Sequence, residues 1–151
     1  MGRSLIGTSA TKVVRQLRSR NIYIVCAMNR SGILHYMMRN RAINQQSFIE
    51  FIRELKQKLR DQTAEHNPVL IMDNVAFHKC TAVRETILQE GCDVKYLPPY
   101  SPFLNPIENL FSKWKKFVNR ANPQNEQELM TAIGNGSSLI TSVDCDGYFS
   151  N

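Results

Sequence analysis

Two acidic residues have the types and spacing to bind one divalent metal together. Asp73 ends the apolar run Val69–Met72, Glu108 lies in the segment 100–109, and 34 residues separate them. A carboxylate at the carboxyl end of a buried strand points into the crevice where α/β domains bind ligands. Hard divalent cations require oxygen ligands, which carboxylates supply. The pair therefore predicts a metal site, provided that the two side chains converge.

Each carboxylate also has a purely structural interpretation. Asp73 and Asn74 together are typical of a turn that follows a strand. Glu108 is the third residue after Asn105, where a glutamate can reach back to the N–H of a helix cap and complement the helix dipole. Taken alone, the positions leave both alternatives open for each residue.

Strands and helices that alternate along the chain must position these carboxylates. The apolar periodicity predicts strands at 21–28, 33–41, 68–73 and 93–97 and helices over about 47–60, 81–90 and from 105 onward. The first two strands form a hairpin across Asn29–Gly32. This order implies a layered α/β domain.

Several helix details follow from the same patterns. Ser47 with Glu50 resembles a capping box, and Asn44 is an alternative cap. The helix from Thr81 should bury one face and end before Gly91. Its predicted apolar face comprises Val83, Ile87 and Leu88. In the helix after Asn105 the predicted buried stripe comprises Ile107, Leu110, Phe111, Trp114 and Val118. A last helix is expected over 126–133, broken by the glycine- and serine-rich segment 134–138.

Composition narrows the class of protein. The 151 residues carry a net charge of +6, which favours polyanionic partners, nucleic acid first. The four cysteines show no pairing typical of a zinc ribbon or a disulfide framework, so reduced cysteines in an intracellular protein are expected. No apolar run approaches the ~20 residues of a membrane span.

Two segments resemble the DDE transposases of the mariner superfamily. One is Asp73–His78; the other runs from Tyr96 to Lys115 and contains Leu-Pro-Pro-Tyr-Ser-Pro-Phe-Leu-Asn-Pro-Ile-Glu. This string is long and compositionally unusual, and the 34-residue gap matches one main branch of the superfamily. The resemblance spans roughly residue 20 to the C-terminus, where Asp144–Phe149 is similar to how some members end.

The resemblance implies a ribonuclease-H-like three-layer fold and metal-dependent DNA cleavage and strand transfer. In the family, two Asp and one Glu or Asp hold two Mg²⁺ or Mn²⁺ ions, which clamp the attacking and leaving oxygens of a phosphoryl displacement. By the match, Asp73 is the second carboxylate and Glu108 the third, while Asn74 and His78 accompany them in the motif and could orient the metal ligands. Taken alone, His78 is more typical of a hydrogen-bonded surface or core histidine. The expected nucleic-acid contacts are the cations outside the buried stripe of the last clear helix, Lys113, Lys115, Lys116 and Arg120.

The chain departs from the family in its first part. No Asp or Glu occurs before Glu50, whereas the family's first Asp lies on the first, central strand. Ser4-Leu5-Ile6 is too short to replace that strand, and helix-turn-helix modules have no room. We therefore expect an incomplete ribonuclease-H-like domain over 21–133 that lacks its first central strand. Residues 1–20 form an N-terminal segment of undefined structure, and 134–151 form a tail.

Three functions remain open on these observations. The chain could be part of a DDE transposase, a nucleic-acid-binding remnant that does not cleave, or an inert transposon fragment. The expected partner is DNA, with no membrane; a homodimer is left open, and a nuclear location is expected in a eukaryote. With one carboxylate missing, we predict that the chain does not cleave DNA by itself.

Overall fold

The computed structural model describes residues 9–14, 22–62, 68–72, 80–98 and 106–150. Five described strands form one sheet: β1 (Ser9–Val14), β2 (Tyr23–Asn29), β3 (Gly32–Arg39), β4 (Val69–Met72) and β5 (Asp93–Tyr96). Their order is β3-β2-β1-β4-β5. The first three strands pair antiparallel, whereas β4 is parallel to both β1 and β5.

Five described helices cover the two faces of this sheet. They are α1 (Gln45–Gln62), α2 (Thr81–Gln89), α3 (Ile107–Ala121), α4 (Glu126–Ser138) and α5 (Ser142–Ser150). The two-residue period of β2 divides the core: Val25 and Ala27 pack with α1 and α2, whereas Ile24 and Cys26 pack with α3, α4 and α5. The result is the layered α/β arrangement that the order of predicted elements implied, with the three layers that the family resemblance implied.

The central strand is the main departure from the sequence prediction. The first strand was expected to be absent, but β1 lies between β2 and β4, in the middle of the sheet. Five of its residues pair with β2 and three with β4. These two ladders satisfy backbone groups that would otherwise leave the edges of β2 and β4 unpaired. The described strand is Ser9–Val14, a segment for which the sequence predicted no strand.

Helix caps settle one alternative that the sequence left open and confirm one prediction. Asn44, not Ser47, caps α1: its Oδ1 accepts a 2.9 Å hydrogen bond from Ser47 N, while Ser47 Oγ accepts a 3.0 Å bond from Asn44 N. Gly91 follows α2 with a φ of +78°, and its N–H donates to the Leu88 carbonyl. A left-handed conformation at this position suits glycine, as predicted.

Two helix predictions were wrong. In α2 the third buried residue is Thr86, and Leu88 is 61% exposed. Thr86 Oγ1 donates to the Ala82 carbonyl at 2.8 Å, which satisfies its hydroxyl within the helix and allows burial. The helix expected to stop at Ile133 continues to Ser138, through Gly134 and Gly136. Packing against α3 outweighs the low helix propensity of glycine there.

The helix that carries Glu108 is held in place by its buried apolar face. Its predicted apolar stripe is confirmed, since Ile107, Leu110, Phe111, Trp114 and Val118 are all buried. The indole Nε1 of Trp114 donates a buried 2.8 Å hydrogen bond to the Ile133 carbonyl of α4. Phe111 and Trp114 are therefore core residues rather than surfaces on which bases could stack.

Candidate metal and nucleic-acid site

Glu108 lies in the first turn of α3. Pro106 has helical torsion angles (φ −60°, ψ −18°), and its carbonyl accepts from Asn109 N at 3.1 Å and Leu110 N at 3.4 Å. Pro106 directly precedes Ile107, the first residue of α3, so the helix begins within one residue of the predicted start, and the fixed φ of proline suits the helical torsion angles there. Glu108 is half-buried, and its carboxylate complements the positive end of the helix dipole. The predicted cap, Asn105, lies outside the described residues.

Three other predicted site residues, Asp73, Asn74 and His78, also lie outside the described residues. The described residue that directly precedes Asp73 is Met72, the last residue of β4, which is fully buried. Convergence of Asp73 with Glu108 stays a prediction.

The central strand β1 lies next to β4, the strand that precedes Asp73, but carries no acidic residue. Thr11 of β1 is the register partner of Met72, so β1 lies beside the strand that leads to Asp73, and α3 packs against β1. No residue of Ser9–Val14 is acidic. Within the described ranges, no group of three His, Cys, Asp or Glu side chains could hold a metal.

Three of the four predicted nucleic-acid residues line one cleft on the outer face of α3. Lys113, Lys116 and Arg120 lie at helical spacing along one wall, and the opposite wall includes Tyr148 of α5. The cleft has a volume of about 440 Å³. Its remaining lining residues are Asn109, Ser112 and Phe117. Lys115, the fourth predicted residue, is exposed and is not part of this lining.

Phe117 organises the cations of the cleft. Lys113 Nζ lies 5.8 Å and the Arg120 guanidinium carbon 5.9 Å from the centre of its ring. Both distances are within the range at which the ring quadrupole attracts a cation. Phe117 therefore draws two positive side chains, seven residues apart on α3, toward the same place.

An ion pair ties α3 to α5 at the edge of the cleft. Lys113 Nζ lies 2.6 Å from Asp144 Oδ1, with 36% and 20% of the two side chains exposed. Asp144 also completes a capping box at the beginning of α5. Thr141 is the cap, since its Oγ1 accepts from Asp144 N at 3.1 Å, and Asp144 Oδ2 accepts in return from Thr141 N at 2.9 Å. The hydrogen bond from Lys113, and then that from Thr141 N, hold the pKa of Asp144 below its usual value.

The rest of α5 is fixed to the sheet. Arg30, in the turn between β2 and β3, pairs with Asp146 at 2.8 Å and lies 5.5 Å from the centre of the Phe149 ring. Cys145 and Phe149 are buried in the core cluster under α3. Burial raises the pKa of Tyr148 to about 12, so its phenol remains a neutral O–H group across the physiological range.

Sequence reasoning found the cations of this cleft but not its other wall. Phe117 is four residues after Lys113 and three before Arg120, a spacing that helical periodicity alone could have related. Tyr148 and Asp144 gave no such signal, because the docking of α5 on α3 is a tertiary contact.

Comparison with known proteins identifies the class of this fold. The structure superimposes on the Mos1 transposase catalytic domain solved with raltegravir and Mg with a TM-score of 0.83, at 14% identity, over 95% of this chain and 77% of that one. For the Mos1 transposase paired-end complex with the left transposon end, the TM-score is 0.81 at 13% identity, over 95% and 51%. The fold is thus ribonuclease-H-like, as the sequence predicted.

The family follows from sequence comparison. The profile of the DDE superfamily endonucleases matches residues 1–130, and the chain belongs to this family. The human histone-lysine N-methyltransferase SETMAR is 27% identical over 157 aligned positions, which cover 88% of this chain. The match spans 23% of that relative's length. None of the described helices is long and apolar enough to cross a membrane.

Proposed function

We propose that this chain is a DNA-directed domain of the DDE transposase class that binds the phosphate backbone and does not cleave it unaided. The observation that carries the proposal is the composition of β1. This strand occupies the centre of the sheet beside β4 and contributes no carboxylate. A two-ion site that lacks one of its three acidic ligands should bind both ions weakly.

Binding to DNA needs no such site. Lysine and arginine contacts to phosphates release counterions and work without a catalytic centre. The net charge of +6 and the cationic cleft on α3 both support a polyanionic partner. The paired-end complex of the Mos1 relative, which contains a transposon end, supports DNA as that partner.

Asp73 and Glu108 stay our proposed metal ligands. In support, β4 ends one residue before Asp73 and α3 begins one residue before Glu108. Both elements adjoin β1, since β4 pairs with it and α3 packs against it. The structures of relatives include one with Mg, so Mg²⁺ or Mn²⁺ is the cation to supply in a test.

Cleavage and binding are tested separately. Supercoiled plasmid is incubated with the protein and Mg²⁺ or Mn²⁺, and we expect no nicking above that of the Asp73→Ala variant. Nicking that disappears in Asp73→Ala contradicts the first half of the proposal. Binding to duplex DNA is measured by fluorescence anisotropy at increasing KCl, and the affinity should fall steeply with salt. Absence of binding at low salt would favour the inert-fragment alternative.

A homodimer stays a prediction. Light scattering during size-exclusion chromatography, with and without DNA, distinguishes a monomer from a dimer and shows whether DNA brings two copies together.

A further inference from the structure

We propose that the cleft between α3 and α5 binds one phosphodiester group of the DNA backbone, with Lys116 and Arg120 as its cationic contacts. This inference rests on the proposed function and assigns a place to the phosphate contact. It also assigns different roles to the four cations predicted from the sequence. Lys116 and Arg120 bind phosphate, Lys113 joins α3 to α5 through its ion pair, and Lys115 does neither.

The distribution of charge points to Lys116 and Arg120. Lys113 is largely neutralised, because Asp144 Oδ1 lies 2.6 Å from its Nζ. Among the residues that the structure describes, no carboxylate forms an ion pair with Lys116 or Arg120. Both side chains lie on the exposed part of α3 and line the cleft. The positive charge available to an anion therefore lies at the end of the cleft away from Asp144.

The lining has the chemistry of a phosphate site. Arg120 can present two N–H donors to one phosphate, and the Lys116 ammonium adds a point charge. Asn109, Ser112 and Tyr148 supply neutral hydrogen-bonding groups along the same cleft. A volume of about 440 Å³ is at the lower end of the range for small-ligand sites, enough for a phosphate with its sugar.

The cleft is also preorganised. One wall is a 15-residue helix whose apolar face is buried. The other wall, α5, is fastened by the Lys113–Asp144 and Arg30–Asp146 pairs and by the burial of Cys145 and Phe149. Phe117 holds the Arg120 guanidinium near its ring. Binding therefore requires little additional ordering of side chains, a cost that otherwise reduces affinity.

Adjacent lysines of α3 provide a matched pair of variants. Lys116→Ala removes a cation that lines the cleft, whereas Lys115→Ala removes one of equal charge, from the same helix, that does not. Both positions are exposed, so neither change should affect folding. The full chain is titrated with a fluorescent duplex of about 20 base pairs at several KCl concentrations. A competition arm adds inorganic phosphate at matched ionic strength.

For Lys116→Ala and Arg120→Ala we expect roughly tenfold weaker binding each, the scale of a lost charge-assisted hydrogen bond. The slope of log affinity against log salt should fall by about one for each variant. Lys115→Ala should stay within about twofold of the parent chain. Inorganic phosphate should compete with DNA for binding to the parent chain and should not displace DNA from the Lys116→Ala variant.

The outcomes separate this inference from the proposed function. If the parent chain binds DNA in a salt-dependent way but Lys116→Ala and Lys115→Ala behave alike, the phosphate contact lies elsewhere and the cleft is not the site. If the parent chain does not bind DNA at low salt, the proposed function itself is wrong. Tyr148→Phe gives an independent check without a change of charge. If the Tyr148 hydroxyl contacts the DNA phosphate, this variant should bind DNA more weakly than the parent chain. An unchanged affinity would contradict a contact between α5 and the phosphate.

Discussion

Trp114 of α3 and Gly136 of α4 approach each other so closely that no side chain fits between them. A β-carbon at Gly136 would lie 2.8 Å from Trp114 Cδ1 and 3.1 Å from its Nε1. The same indole donates to the Ile133 carbonyl one turn earlier on α4. This contact fixes the helix that carries Glu108 and the cationic cleft.

Gly136→Ala should destabilise the protein by about 1–3 kcal/mol, because the buried indole cannot move aside without repacking. Gly147→Ala in α5 is the matched control: it lies in a helix with nothing within 4 Å of the added carbon. The control should be neutral or stabilising by up to about 1 kcal/mol, from helix propensity. Urea denaturation measures both, and equal effects would show that the Trp114 contact does not constrain α4.

Alkaline pH should destabilise the chain through α5. Burial, with the nearby Asp144 charge, raises the pKa of Cys145 to about 11 and that of Tyr148 to about 12. The unfolded chain loses these protons first, near pH 9 and 10. Because the folded state then binds more protons, stability should fall as pH rises from 9 to 12. Urea midpoints across that range test this, and Tyr148→Phe should flatten the upper part of the curve.

Low pH should destabilise the folded chain through protonation of Asp144. Its pKa is lowered in the folded state, so its contribution to stability is present above the ordinary value of 3.8 and is lost as pH falls through the lower, folded value. Asp144→Asn should remove this pH-dependent contribution. Below about pH 4, the free energy of unfolding of the variant should therefore depend less on pH than that of the parent chain. The exposed Asp61, changed to Asn in α1, is the control. Equal acid sensitivity of the two variants would contradict the assignment.

Divalent metal should not stabilise the chain strongly. A ligand that binds only the folded state raises stability by RT ln(1 + [L]/Kd), so weak binding gives little change. Thermal unfolding with EDTA and with about 10 mM MgCl₂ should give Tm values within about 1 °C of each other. Glu108→Gln should behave in the same way. A rise of several degrees in the parent chain, absent in Glu108→Gln, would reveal a working site.

How far the sequence predicts the site depends on which residues carry local information. The helical period located the buried face of α3 from Ile107 to Val118 and, on its other side, the cations that line the cleft. Proline at position 106 marked the beginning of that helix, because its fixed φ suits the first helical residue. The buried face is confirmed because it depends on neighbours within about one turn of the same helix. The role of the cations in binding nucleic acid stays a prediction.

Contacts between distant segments were not predictable in this way. The placement of β1 between β2 and β4 depends on two ladders, of which one joins Thr11 to Met72, 61 positions along the chain. The continuation of α4 through Gly134 and Gly136 depends on Trp114. In both cases packing and backbone pairing outweigh the local signal, as tertiary context does for weak propensities.

The sequence by itself determined the family, the order of strands and helices from β2 to α4, the buried stripe of α3 and the absence of any carboxylate before Glu50. Only the tertiary structure decided that a central strand is present without an acidic residue, and that α5 closes one side of the cationic cleft with Tyr148. The physical reason is the distance along the chain over which each interaction acts. Periodicity and capping act between residues a few positions apart, whereas the sheet order and the cleft arise where segments far apart in the chain satisfy each other's backbone groups, charges and apolar surface.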